Sequence, residues 1–124
     1  LVSIALPQYF RATERARTGQ VLSLLASIRG AEMRYKAQSP SNLYTTVPGE
    51  LDLGLPTAAQ MPAGWDTLTV ATITGAGANA FVNRNAGATG VNNGDDLMID
   101  LDSGAVCATD AGSAGDWGVS VGPC

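Results

Sequence analysis

The chemistry open to this chain is set by two cysteines, one cluster of aspartates and the absence of histidine. Without histidine there is no Ser-His-Asp relay, and the commonest general base and metal ligand are missing. Two cysteines cannot supply a four-sulfur zinc site. Gly75-Ala76-Gly77 lacks the third glycine of a dinucleotide loop and the lysine of a phosphate loop. By elimination the sequence reads as a protein that is not an enzyme. Asp95, Asp96, Asp100 and Asp102 form the densest carboxylate cluster. Hard cations take several oxygens, and alternation places Asp100 and Asp102 on one strand face. A calcium site of Asp96, Asp100 and Asp102 is one reading, although the spacing is not that of an EF-hand. The plainer reading is an outward acidic edge that resists strand pairing. A glycosidase-type carboxylate pair lacks aromatic cleft residues, because Trp65 and Trp117 suit a core better. Cys107 and Cys124 enclose a stretch rich in Gly, Ala, Ser and Asp that has no core of its own. A disulfide there would tether it, contributing about 3 kcal/mol, and would imply a periplasmic or extracellular setting. Two free thiols are the alternative.

These residues must be positioned by a chain of 124 residues, long enough for one domain with its own core. Val21, Leu24, Leu25, Ile28, Ala31 and Tyr35 recur at helical steps, which predicts a helix over 8–36. Arg11, Arg15, Gln20, Arg29 and Glu32 are assigned to its polar side, and Ser39-Pro40 ends it. Counted from Pro7 the helix spans about 45 Å, against about 35 Å for a compact body of this size. Its N-terminal half is therefore expected to project. The apolar run Leu1 to Leu6, which does not start with Met, reads as the tail of a longer hydrophobic helix.

Residues 37–64 read as a proline-rich loop in which Leu51, Leu53 and Leu55 point inward. From residue 65 the period changes to two. Strands are expected at 67–73, at 81–84 and at 97–101, the last with Met98, Asp100 and Asp102 outward. Gly75 to Ala80 reads as a turn, and Asn93-Gly94 as a hairpin signal. Ala105-Val106-Cys107 is expected to pair back on the preceding strand. Trp117, Val119 and Val121 suggest a last strand. The fold class is α+β: one long helix packed on a three- to four-stranded antiparallel sheet. It forms a single domain divided into 1–36, 37–64 and 65–124.

Charge is segregated along the chain. Residues 1–36 hold six basic and two acidic side chains, whereas residues 37–124 hold Arg84 against nine acidic ones. A solvated helix face is the plain reading of the basic segment, with nucleic-acid binding and self-assembly as the others.

The start Ile4-Ala5-Leu6-Pro7-Gln8-Tyr9-Phe10, followed by a charged amphipathic helix, closely resembles type IV pilins and the related pseudopilins. Asn42-Leu43-Tyr44-Thr45-Thr46 with Leu51-Asp52-Leu53 is similar to the helix-to-sheet loop of many pilins. The C-terminal cysteine pair resembles their disulfide-bounded loop. The family's Phe-Thr-Leu-Ile-Glu-type start is absent, so the resemblance is to an N-terminally truncated pilin. It implies a pilus subunit that polymerises with copies of itself for adhesion, twitching motility or DNA uptake. Leu6, Pro7, Tyr9, Phe10, Arg11 and Arg15 then lie on the assembly helix. It further implies an extracellular pilus, an inner-membrane stage with the head in the periplasm, and assembly machinery in that membrane as partner. Membrane contact is expected only through the missing N-terminal helix. Nucleic-acid binding is not expected of the isolated domain, and no cofactor is implied apart from possible calcium. The alternatives are a type II secretion pseudopilin that binds calcium, and a secreted ligand-binding module.

Overall fold

The computed structural model describes residues 2–66, 69–73, 77–85 and 94–122. Helix α1 spans Val2–Gln38 and continues through Pro7. Its buried seam is Thr18, Val21, Leu25, Ile28, Glu32. Those positions step by three and four residues, so they form one stripe along the helix. Glu32 therefore does not stand on the polar side assigned to it above: its side chain is fully buried. The loop after the helix folds back across it, and the Thr45 N–H donates to its carboxylate at 3.0 Å. The last turn closes through the Ser39 N–H on the Tyr35 carbonyl, before Pro40.

The sheet has five strands in sequential order: β1 Thr69–Ile73, β2 Gly77–Asn83, β3 Asp96–Asp100, β4 Val106–Ala108 and β5 Ser120–Val121. The first four pair antiparallel, but β5 runs parallel to β4, so the sheet is mixed rather than antiparallel. A parallel return needs a crossover. Helix α2, Ala111–Trp117, supplies it where an extended strand was expected around Trp117. The Asp110 carboxylate accepts from the Gly112 and Ser113 N–H groups at 2.7 and 3.3 Å and caps the start of α2. β2 also begins earlier than the sequence suggests, so residues 77–80 are strand and not turn. Of the strand expected at 67–73, residues 67 and 68 lie outside the described residues, as does Asn93 of the hairpin signal.

One sheet face carries Ala80 and Val82 opposite Ile99 and Leu97, with Ala108 beside Leu97. All five are buried and join Val21, Leu25 and Ile28 of α1 in one core. Leu51 is buried at its edge, with Leu53 and Leu55 half-buried against it, as their alternation suggested. Each fully buried aliphatic side chain contributes about 1.5–3 kcal/mol. Met98 is buried, not outward, because the opposite face has its own apolar strip: Met98 pairs with Phe81 and with Cys107.

Trp65 and Trp117 are both 4% exposed and meet at 5.1 Å between ring centroids. The Arg84 guanidinium lies 5.6 Å from the Trp65 ring centroid, and Trp65 bridges to Arg84 across the end of the sheet. Gly64, at φ +84°, leaves room for that guanidinium: a β-carbon there would stand 1.5 Å from an Arg84 nitrogen. Both the conformation and the space require glycine.

Candidate functional site

The sequence draws attention to three places: the N-terminal stem of α1, the aspartates around β3, and the cysteines. At the stem, the backbone of Leu6, Pro7, Tyr9, Phe10, Arg11 and Arg15 is helical. The side chains of the first five lie outside the described residues. Arg15 is exposed, and its Nε donates to the Asp116 carbonyl near the end of α2 at 3.3 Å. That carbonyl lies in the last turn of α2, where unsatisfied C=O groups attract a cation. Among the described side chains, burial along α1 begins at Thr18; Ala12, Arg15 and Ala16 are exposed, and Thr13 and Arg17 are half-buried. At 1.5 Å per residue the whole helix is about 55 Å long, and roughly 24 Å of it precedes Thr18. Among the described residues, no helix is long and apolar enough to cross a membrane.

The other end of α1 is fixed to the head by a compact polar junction. Arg29 Nε donates to the Leu101 carbonyl and its Nη2 to the Asp102 carbonyl, each at 3.0 Å. Gly104 closes that turn at φ +78°, where a β-carbon would press on the Arg29 guanidinium at 3.1 Å. Tyr44 Oη donates to Asp102 Oδ1 at 2.7 Å. Lys36 Nζ stands 4.7 Å from the Tyr44 ring centroid and 3.9 Å from the same Asp102 oxygen. Burial first, then the bond to the neighbouring Asp102 carboxylate, pushes the Tyr44 phenol up to about 12. The exposed pair of Arg34 and Asp52, with two bonds of 2.7 Å, adds a tie from α1 to the loop. The Arg34 guanidinium bonded to Asp52 holds that carboxyl below its ordinary range.

Asp100 and Asp102 come together at the β3–β4 turn, whereas Asp96 stands at the opposite end of β3, about 13 Å along the strand. Asp102 lies in the turn and not on the strand. Each carboxylate is engaged within the chain. Asp96 accepts from Asn83 Nδ2 at 2.8 Å. Asp100 accepts from the Asp102 N–H at 3.1 Å and from Ser103 Oγ at 2.6 Å. Among the described residues, no group of three or more acidic, cysteine or histidine side chains is arranged to hold a metal ion. Asp95 instead accepts from Ser113 Oγ, which fastens α2 to the start of β3.

Cys107 is buried in β4 and is not free. Cys124, its expected partner, lies outside the described residues. Arg29, Glu32, Tyr44 and Thr45 are not among the functional positions the sequence suggests. Glu32 carried a usable signal, since 25, 28, 32 and 35 continue the apolar stripe. Nothing local in the sequence marks the Arg29 and Tyr44 contacts, which span 72 and 58 residues. No family model, curated protein or solved structure matches the chain.

Proposed function

We propose that the chain is a filament subunit of the type IV pilin kind, with α1 as stem and the sheet as head. The observation that carries this reading is the stem. Among the described side chains of the 37-residue helix, the buried ones run from Thr18 onward, and Ala12, Arg15 and Ala16 before it are exposed. A helical stem that outruns its own head is suited to packing against stems of other copies, and a non-closing head-to-tail contact yields a helical polymer. The basic first third and acidic remainder give neighbouring copies a complementary register. The motif from Ile4 to Phe10 points the same way, and the helix packed on a sheet is compatible with a pilin head.

On this reading the protein serves adhesion, twitching motility or DNA uptake from an extracellular pilus, after an inner-membrane stage with the head in the periplasm. The membrane's pilus assembly machinery would be its partner. Cys107 is proposed to pair with Cys124, closing the segment that contains α2 and β5. The test is to shear surface filaments from cells that make the protein and probe them by immunogold microscopy and mass spectrometry. Labelled filaments containing this chain are expected. Filaments that never contain it, in cells that export it, would contradict the reading. A melting temperature raised by calcium and insensitive again in Asp100→Asn would support the pseudopilin alternative instead.

A further inference from the structure

Glu32 is the one described carboxylate with no exposed surface, and its Oε1 has no hydrogen-bond partner among the described residues. Its other oxygen accepts the Thr45 N–H at 3.0 Å. The Thr45 hydroxyl in turn donates to Glu50 Oε2 at 2.5 Å and accepts the Val47 N–H at 3.0 Å. Two carboxylates thus converge on one threonine, one buried on the helix and one at the surface of the loop. Tyr35, one turn along α1, meets the same Glu50, which holds its phenol above the ordinary range.

Among the described residues no cation is shown compensating Glu32. The sheet faces α1 with Ala80, Val82, Leu97 and Ile99, all apolar. Arg29 is committed to the Leu101 and Asp102 carbonyls, Lys36 lies at Asp102 and Tyr44, and Arg34 is bonded to Asp52. Glu50, the charged group of the loop that acts on it, has the same sign. A buried ion without a partner costs far more than a buried neutral carboxyl with one unmet hydroxyl.

We propose that Glu32 is a proton-dependent latch for the segment Tyr44–Glu50: the segment seats on α1 while Glu32 holds a proton and loosens when it is lost. The attachment is narrow enough for one proton to matter. Thr45 is 5% exposed, but its neighbours Leu43 and Val47 are 64% and 52% exposed, and the helical turn Pro48–Glu50 contains no fully buried residue. Tyr44 and Thr45 therefore hold the segment, with little apolar burial to swamp a change at Glu32.

The direction follows from linkage. Burial, opposed by the Thr45 N–H and reinforced by the Glu50 charge, raises the Glu32 carboxyl above its ordinary value. A raised carboxyl keeps its proton in the seated form after the loosened form has lost it. Seating is therefore complete below the ordinary glutamate range and weakens as pH rises through the seated value. Each unit of elevation corresponds to about a tenfold change in the opening equilibrium.

The test is carbon-detected NMR titration of the side-chain carboxyls in the full chain, with the Thr45 amide followed in parallel. Glu32 is expected to titrate above the ordinary glutamate range, with the Thr45 amide shift and its exchange protection, corrected for intrinsic rate, changing at the same midpoint. In Glu32→Gln the Thr45 amide should become insensitive to pH over that range. In Glu50→Gln, which removes the neighbouring negative charge but keeps an acceptor for the Thr45 hydroxyl, the Glu32 midpoint should fall. Glu32 titrating in the ordinary carboxylate range, or a Thr45 amide that does not follow it, would overturn the latch. The wild-type titration alone decides the matter if Glu32→Gln does not fold.

Discussion

Arg29 shows how much of this head rests on single polar contacts. Its guanidinium satisfies two carbonyls of the β3–β4 turn and so joins helix to sheet at the point where Tyr44 brings in the loop. Arg29→Met keeps most of the stem of the side chain but leaves both carbonyls without that donor. Its expected cost is about 1.5–3 kcal/mol, read as a lower urea midpoint at unchanged slope. Tyr44 offers a direct spectroscopic check, since its phenol is pushed up to about 12. Alkaline difference absorbance should show a phenol ionising there, and Tyr44→Phe should remove it. The sign is the same as for any raised acid: stability held below the unfolded tyrosine value is lost as pH rises through about 12. At this scale the sequence was informative only where periodicity reached. Glu32 follows the helical stripe, but its charge argues for the polar side, and the structure buries it instead. The Arg29 and Tyr44 contacts depend on tertiary closure and left no local trace.

Among the elements, α1 and the core face of β3 follow directly from residue pattern, because each is apolar at a single period. Leu25 sits in the centre of the α1 seam and is fully buried. Leu25→Ala is expected to cost about 2–5 kcal/mol by calorimetry or denaturant titration. Helix α2 was not read from sequence, for a physical reason. Its seven residues are mostly Ala, Gly and Ser, too short and too weakly patterned to form alone. Its boundaries were nevertheless written in Asp110, the N-cap, and Gly118, the left-handed C-cap at φ 71°. Asp110→Ala should therefore destabilise by about 0.5–2 kcal/mol, whereas Asp110→Ser should be nearly neutral. The parallel β5 follows from α2 and could not be inferred without it. Met98 was misplaced because its burial comes from Phe81 and Cys107 on neighbouring strands, which alternation within one strand does not reveal.

For the whole molecule, the filament proposal rests on the length of α1 and on where its described burial begins. The head has a closed apolar core of helix, sheet and loop, and its polar junction is internally satisfied at Arg29, Tyr44 and Asp102. The stem before Thr18 meets the head at Arg15 and carries exposed described positions at Ala12 and Ala16. That α1 is long was legible from residue spacing alone, and so was the charge contrast. The contact between copies that the filament proposal requires was not, because an assembly contact leaves no pattern within one chain. The filament reading is tested most directly by placing a photo-crosslinking amino acid at position 12 in cells that make and export the protein. Ultraviolet light should then join the stem of one copy to another, giving a ladder of crosslinked multimers that co-purifies with sheared filaments. A monomer as the sole product, with the protein folded and exported, would contradict the account.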